Sequence, residues 1–384
     1  MRVRKVGIEE ELLLVDPGTG EMCNLSRSVL HQHRSGAGPD PASLPADGPA
    51  DLDGELLLHM VETHTDPGLD LADLGDQVRA ARRTAVASAE AAGVAVAAVG
   101  FPPLGWHPRV APDSRYERIV REFGETGLAA GTLGMHLHVD VEDDEEAVRV
   151  IDRVRPWLPV LVALAANSPF ADGRDTGYAS WRQQVWSRWP SAGPAEPFGS
   201  VAEYRRVTEA MIASGAALDA GMLYLDARPA ESYPTVEIRV ADVCTDVEDA
   251  LLVAALARAL VSTAAPAGAA DADGAPPRSD LLRGAHWRAA RDGVTGGLVH
   301  PVSGTLVPAR EAVSALVERV RPALRAAGDE QHVATALDRL ATRGAGARQQ
   351  RQARERTGGV DGVVADLVAR TAASAAAEDA SAAS

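Results

Sequence analysis

Three stretches of this sequence, read with a period of two, gather apolar side chains on one side and a group of ionisable ones on the other. Successive side chains of a β-strand point to opposite faces, so each stretch reads as a strand with one face for a core. In Val6–Val15, Ile8, Leu12 and Leu14 share a face while Glu9 and Glu11 project together from the other. In Met135–Val141 the apolar set is Met135, Leu137, Val139 and Val141, leaving His136, His138 and Asp140 opposite. In the third stretch Val236, Ile238 and Val240 face inward and Glu237 and Arg239 outward. Strands and helical stretches mix along the chain without a regular βαβ rhythm, which favours an α+β architecture built on an antiparallel sheet.

A fourth segment, Glu55-Leu-Leu-Leu-His-Met-Val-Glu62, sets two carboxylates seven residues apart, compatible with one helical face or with a loop and a strand edge. Together the four segments could bring Glu9, Glu11, Glu55, Glu62, His136 and Glu237 to one concave sheet surface. A set so rich in oxygen suits Mg²⁺ or Mn²⁺ better than zinc, because hard cations prefer carboxylates. Each piece also has a plainer explanation. The glutamates could be a solvated strand face, the histidines a half-exposed strand or a zinc pair, and Glu237 and Arg239 a surface ion pair. Recurrence of the same polar face in three strands favours a shared metal and anion site.

Arginine carries almost all the positive charge, since Lys5 is the only lysine. That excludes a phosphate-binding Gly-Lys-Ser/Thr loop and a Schiff-base lysine. Arg182 and Arg188 in a Trp-rich stretch, Arg228, Arg288, Arg291, Arg348 and Arg351 could fork onto phosphate or carboxylate oxygens, with surface salt bridges the alternative for any one of them. The net charge of -16 argues against nucleic acid or an anionic membrane as partner. Anionic ligands would therefore need a local basic pocket or metal ions. Cys23 and Cys244 are too few and too far apart for a disulfide framework, and Cys244, among acidic neighbours, reads as a structural thiol. With no apolar leader after Met1, and Arg258 interrupting the most apolar helix, around Ala250–Ala265, the expected location is the cytoplasm.

Helical spacing covers Leu71–Ala92, Ala147–Ala166 with Pro156 and Pro159 inside it, Val201–Ser214, Asp246–Ser262, Ala309–Ala326, Glu330–Thr342 and Val360–Ala373. Further strands are expected at 94–99 and 222–228, a lid or excursion at 102–131, and an ordered functional loop at 167–199. One catalytic domain is expected over residues 1–375, with long loops at about 35–53 and 265–280 and a disordered tail at 376–384.

The ordered motifs resemble the bacterial carboxylate-amine ligases of the glutamate-cysteine ligase type 2 family. The matching stretches are Gly7-Ile-Glu-Glu-Glu-Leu-Leu-Leu-Val-Asp16, Val61-Glu-Thr63, Gly134-Met-His-Leu-His-Val139, Ala166-Asn-Ser-Pro-Phe170, Thr176-Gly-Tyr-Ala-Ser180 and Tyr233-Pro-Thr-Val-Glu-Ile-Arg-Val240, followed by Trp287-Arg-Ala-Ala-Arg291 and the Gly344–Arg351 stretch. Any one motif is weak; the collinear set, from about residue 5 to 370, is specific. Asp140 departs from it, standing where a small residue is expected.

The resemblance implies a glutamine-synthetase-like fold, a curved antiparallel sheet forming a half-barrel with helices on its convex side. It implies ATP and two or three Mg²⁺ ions, with Mn²⁺ an alternative, and the metal-ligand positions Glu9, Glu11, Glu55, Glu62, His136 and Glu237. Arg239 would lie near the γ-phosphate, with Arg182 also stabilising charge, Arg288 and Arg351 on the nucleotide, and His138 behind the ligands. The implied activity joins the γ-carboxylate of glutamate, or a related acid, to cysteine or a related amine through an acyl phosphate. Small-molecule substrates are thus the expected partners, and a homo-oligomer stays open. Two other readings are a metal-dependent hydrolase using His136, His138 and Glu237, and a catalytically silent nucleotide-binding relative.

Overall fold

In the computed structural model, which describes residues 2–36, 52–105, 107–128, 131–267 and 276–376, the three alternating stretches lie side by side in one sheet. Its strands are β1 (Val6–Val15), β2 (Leu52–Gly54), β3 (Met60–His64), β4 (Ala95–Ala97), β5 (Gly134–Asp140), β8 (Ala227–Pro229) and β9 (Thr235–Asp242). The hairpins β6 (Phe170–Ala171) with β7 (Arg174–Asp175), and β10 (Gly297–Val299) with β11 (Leu306–Pro308), stand outside it. The order is β2-β3-β1-β5-β9-β8, with β4 also on β1, and every pairing is antiparallel. The sheet is open, and the expected α+β class holds.

Alternation decides which face is covered. Ile8, Met135, Leu137, Val139, Val236, Ile238 and Val240 are all buried against the helices Leu71–Ala91, Asp144–Val154, Leu158–Ala165 and Val247–Ala264. Three of these helices begin at an aspartate, Asp70, Asp143 or Asp246, whose carboxylate accepts first-turn N–H groups. Such caps are stabilising because those amides have no partner inside the helix. The helix expected at 147–166 is two helices joined by a 3₁₀ turn at Arg155–Trp157. Pro156 and Pro159 both fall in first-turn positions, where a missing N–H costs nothing.

Elsewhere the expectations hold in part. The strand expected at 222–228 is a 3₁₀ turn, Ala220–Met222, followed by the short β8. The 102–131 excursion contains a helix, Ser114–Phe123, capped by Asp113, and the Trp-rich stretch contains the β6–β7 hairpin and the helix Trp181–Trp186. Helices at Ser26–Arg34, Ser279–Asp292 and Gly346–Thr357 lie where none was expected. Most of the loops expected at 35–53 and 265–280, and nearly all of the tail, lie outside the described residues. Among the described residues no helix is long and apolar enough to cross a membrane.

Parity puts Glu10 on the buried face between Ile8 and Leu12. There its carboxylate accepts from Arg82 of the helix Leu71–Ala91, Nε to Oε2 at 2.8 Å and Nη2 to Oε1 at 2.6 Å. The same guanidinium donates to the carbonyls of Thr245 and Cys244 at 2.7 and 2.6 Å, tying β1 to the start of the helix Val247–Ala264. Both side chains are buried. Removing one partner of such a pair strands the other charge, so Arg82→Met should lower the unfolding free energy by about 3–5 kcal/mol. Denaturant titration checks this; a loss under about 1 kcal/mol would mean that the pair does not stabilise the fold.

Candidate active site

The antiparallel register turns the polar residues into a continuous band. Glu11 stands opposite Glu62, Glu9 opposite His136, and His138 opposite Glu237. Directly opposed side chains in an antiparallel pair lie within about 5 Å of one another, so the band runs across β3, β1, β5 and β9. Glu62 lies within β3 and Glu55 in the loop after β2, which selects the loop-and-strand arrangement for that segment.

Three sets of possible ligand atoms lie together, each within 4.8 Å: Glu9, His138 and Glu237; Glu9, Glu62 and His136; Glu11, Glu55 and Glu62. Glu9 and Glu62 belong to two sets each, so the three form one chain of donors. Glu9 reaches both imidazoles, His136 Nδ1 at 3.3 Å and His138 Nε2 at 3.2 Å. His138 is fixed from behind by Thr235 Oγ1, 3.0 Å from its Nδ1. Arg228 Nε holds Glu237 Oε2 at 2.7 Å, and Arg239 pairs with the other oxygen. The amide of Gly134 donates to Glu11.

Crowding is written into the charge states. Burial, then the charge of Glu11, raises the Glu55 carboxyl above its usual range; burial followed by Glu55, Glu9 and Glu11 raises Glu62 well above it. Glu9 goes the other way: burial opposes its ionisation, but hydrogen bonds from His136 and His138 outweigh burial and hold it well below the usual carboxylate range. His136 is lowered to about 4 by burial and by the nearby Arg239, so it is neutral at pH 7 and available as a ligand.

These groups line a cavity of about 400 Å³. Its other walls include Arg115 and Tyr116 of the helix Ser114–Phe123, Trp186 and Trp189, Tyr224, and the exposed Tyr233 at the β8–β9 turn. A larger cavity of about 910 Å³ among the helices, lined by Arg79, Glu248, His332 and Arg339 among others, contains none of the six expected ligands.

Residues 5–370 match the model of Glutamate-cysteine ligase family 2 (GCS2). The chain belongs to glutamate-cysteine ligase family 2. Its relatives include a protein of Nocardioides sp. provisionally named glutamate–cysteine ligase 2-1, 54% identical over 374 residues and 97% of both chains. A Frankia alni protein with the provisional name glutamate–cysteine ligase 2-2 is 50% identical over 371 residues, 96% of this chain and 97% of that one. Among solved structures the fold is similar to a bifunctional glutathione synthetase from Pasteurella multocida, with a TM-score of 0.67 at 15% identity over 97% of this chain; the match spans about half (52%) of the Pasteurella protein. It is also similar to a glutamate–cysteine ligase from Francisella tularensis solved with AMP, with a TM-score of 0.61 at 12% identity over 98% of this chain and 90% of that one. These likenesses bear out the glutamine-synthetase-like sheet with helices on one side.

Within this family member, the structure brings Glu9, Glu11, Glu55, Glu62, His136, Glu237 and Arg239 into the one cavity. Three of the expected arginines are elsewhere. Arg288 bonds Asp292 at 3.2 Å and lies over the Trp287 ring, and Arg351 grips Asp175 at 2.8 and 2.9 Å. Arg182 is buried on the main-chain carbonyls of Arg239 and Val240 and does not line the cavity. The partners of Arg351 and Arg182 come from distant segments, which no local pattern shows, whereas Arg288 pairs four residues along its own helix. Conversely, Arg115, Tyr116 and Tyr224 line the cavity without any motif to announce them; the first two fall in the excursion expected at 102–131 and the third in the strand expected at 222–228.

Crowded carboxylates oppose folding when no cation is present. Glu62→Gln keeps the shape and removes one member of the cluster, so in chelator it should stabilise the protein by about 1 kcal/mol or more. Thermal unfolding in EDTA reads this directly. A lower midpoint for the variant would show that hydrogen bonds to the carboxylate outweigh repulsion.

Proposed function

We propose that this chain is an ATP- and Mg²⁺-dependent carboxylate–amine ligase, acting as one catalytic unit over residues 1–375. It would join the γ-carboxylate of glutamate, or a related acid, to cysteine or a related amine. The observation that carries the reading is the chain of three overlapping donor sets in a cavity that also holds Arg228 and Arg239. Family membership supports it, and the fold shared with a ligase solved with AMP supports the choice of nucleotide.

The donors fit the metal. They are carboxylates with one or two imidazoles, the set a hard divalent cation takes, and the raised Glu55 and Glu62 carboxyls mark a place short of positive charge. Glu9, Glu11, Glu55, Glu62, His136 and Glu237 would hold two or three Mg²⁺ or Mn²⁺ ions. Bound there, the ions would offset the charge of the phosphates and the acid. Arg239, buried and fixed against Glu237, would face the transferred phosphoryl group as a preorganised charge. Arg228 would keep Glu237 in place and Thr235 would orient His138.

In this reaction the γ-phosphoryl group passes from ATP to a carboxylate oxygen and ADP leaves. The amine nitrogen then attacks the activated carbon, inorganic phosphate departs, and the nitrogen gives up a proton. The residues mainly position the reactants and neutralise charge. A metal-dependent hydrolase on His136, His138 and Glu237 would leave Glu11, Glu55, Glu62 and Arg239 without a task. A silent nucleotide-binding relative would not need so costly a cluster.

The test is purified protein with Mg-ATP, glutamate and a panel of amines including cysteine, read by phosphate release and by mass spectrometry. ADP, phosphate and a new amide should appear together; no phosphate release with any acid–amine pair would refute the reading. Glu11→Gln and Glu237→Gln should each lower turnover by roughly a hundredfold or more with the fold intact. Arg239→Lys should lower it at least about tenfold, because a point charge cannot replace a planar fork. EDTA should abolish activity, and Mg²⁺ or Mn²⁺ should restore it.

A further inference from the structure

The ladder between β5 and β9 is irregular. Met135 pairs with Ala241 and Leu137 with Ile238, so Arg239 and Val240 are passed over. Such a bulge re-aims a side chain and disturbs the local hydrogen bonds. Arg182 donates to both passed-over residues, Nη2 to the Arg239 carbonyl at 3.2 Å and Nη1 to the Val240 carbonyl at 3.5 Å. Backbone polar groups this deep need partners, and a guanidinium fork can serve two carbonyls at once.

Arg182 also lies flat on Gly134, where an added Cβ would collide with Nη2. The amide of that same Gly134 donates to Glu11. The indole of Trp186 links the two arginines: the Arg182 guanidinium is 5.6 Å from its ring centre and that of Arg239 5.9 Å. Arg182 itself is anchored from behind. Its amide donates to Ser168 Oγ at 3.1 Å, and Ser168 and Ser180 donate to Asp242 at 2.6 and 2.7 Å. Asp242 closes β9, is fully buried, and also accepts from the Asn167 amide at 2.9 Å.

We infer that Arg182 is a positioning residue: packed on Gly134 and on the carbonyls of Arg239 and Val240, it sets the backbone that presents Arg239 and, through Gly134, the carboxylate of Glu11. It is buried and does not line the cavity. Its place in the reaction rests on the ligase reading above, while its effect on Glu11 does not.

The test is a double-mutant cycle, with Mn²⁺ binding as a second readout. Arg182→Lys keeps the charge but cannot span two carbonyls, and Gly134→Ala displaces an unaltered Arg182. Each should lower kcat for ATP-dependent phosphate release roughly tenfold or more with a smaller change in the KM for the acid. Arg182→Lys combined with Arg239→Lys should be slower than Arg239→Lys alone by clearly less than the factor that Arg182→Lys costs the parent protein, because one of its two routes, the one through Arg239, is already lost. Mn²⁺ binding without nucleotide, followed by electron paramagnetic resonance, should weaken about threefold or more in both Arg182→Lys and Gly134→Ala. A fully active Arg182→Lys protein, or losses that simply multiply in the double variant, would overturn the inference. If the parent protein shows no turnover at all, the ligase reading fails and Mn²⁺ binding alone decides: unchanged affinity in two folded variants would overturn the positioning role as well.

Discussion

Like charges held close together are the constraint around which this molecule is built. Glu9, Glu11, Glu55, Glu62 and Glu237 share one cavity, and strand geometry fixes most of them with little freedom to turn away. The protein meets the repulsion locally with two imidazoles beside Glu9, with two arginines on Glu237, and with a main-chain amide on Glu11. It meets the remainder globally, through the apolar core that the same strands make with their other faces. A site assembled in advance loses little on binding its ligands, which is the reason to tolerate its cost while empty.

The scaffold makes that tolerance mechanical. The candidate ligands lie on adjacent strands of one antiparallel sheet, with Glu55, on a loop, the exception. Helices seal the far face, and one that is almost wholly buried, Val247–Ala264, has a single arginine, Arg258, paired with Asp329. Such scaffolding suits chemistry in which protein groups position and neutralise and form no bonds themselves.

Much of this was legible in the residues. Parity along a strand is robust, so the polar faces of β1, β5 and β9 and the candidate ligands on them follow from the sequence without any knowledge of pairing. Register could not: nothing local says that Glu11 faces Glu62 or that β9 skips two residues beside His136. Glu55 stayed ambiguous because its place depends on where β2 ends. Arg182, Arg288 and Arg351 look alike as sequence, and only their partners separate a buried residue beside the β9 bulge from two in ion pairs. Helices such as Gly346–Thr357 were missed because their arginine-rich composition hides a narrow buried stripe of Ala347, Gln350 and Ala353.

The pair formed by Glu10 and Arg82 also bears on how the sheet finds its alignment. Three consecutive glutamates are a poor ruler: a slip of two residues would keep apolar side chains inside and glutamates outside, yet move every ligand past its partner. Parity alone cannot forbid that slip. Arg82 can, because it meets a carboxylate in one alignment and Ile8 or Leu12 in the neighbouring ones, where a buried cation would lack its counter-charge. An ion pair on the reverse of the sheet thus acts as an index mark, setting the spacing of the donors on the front.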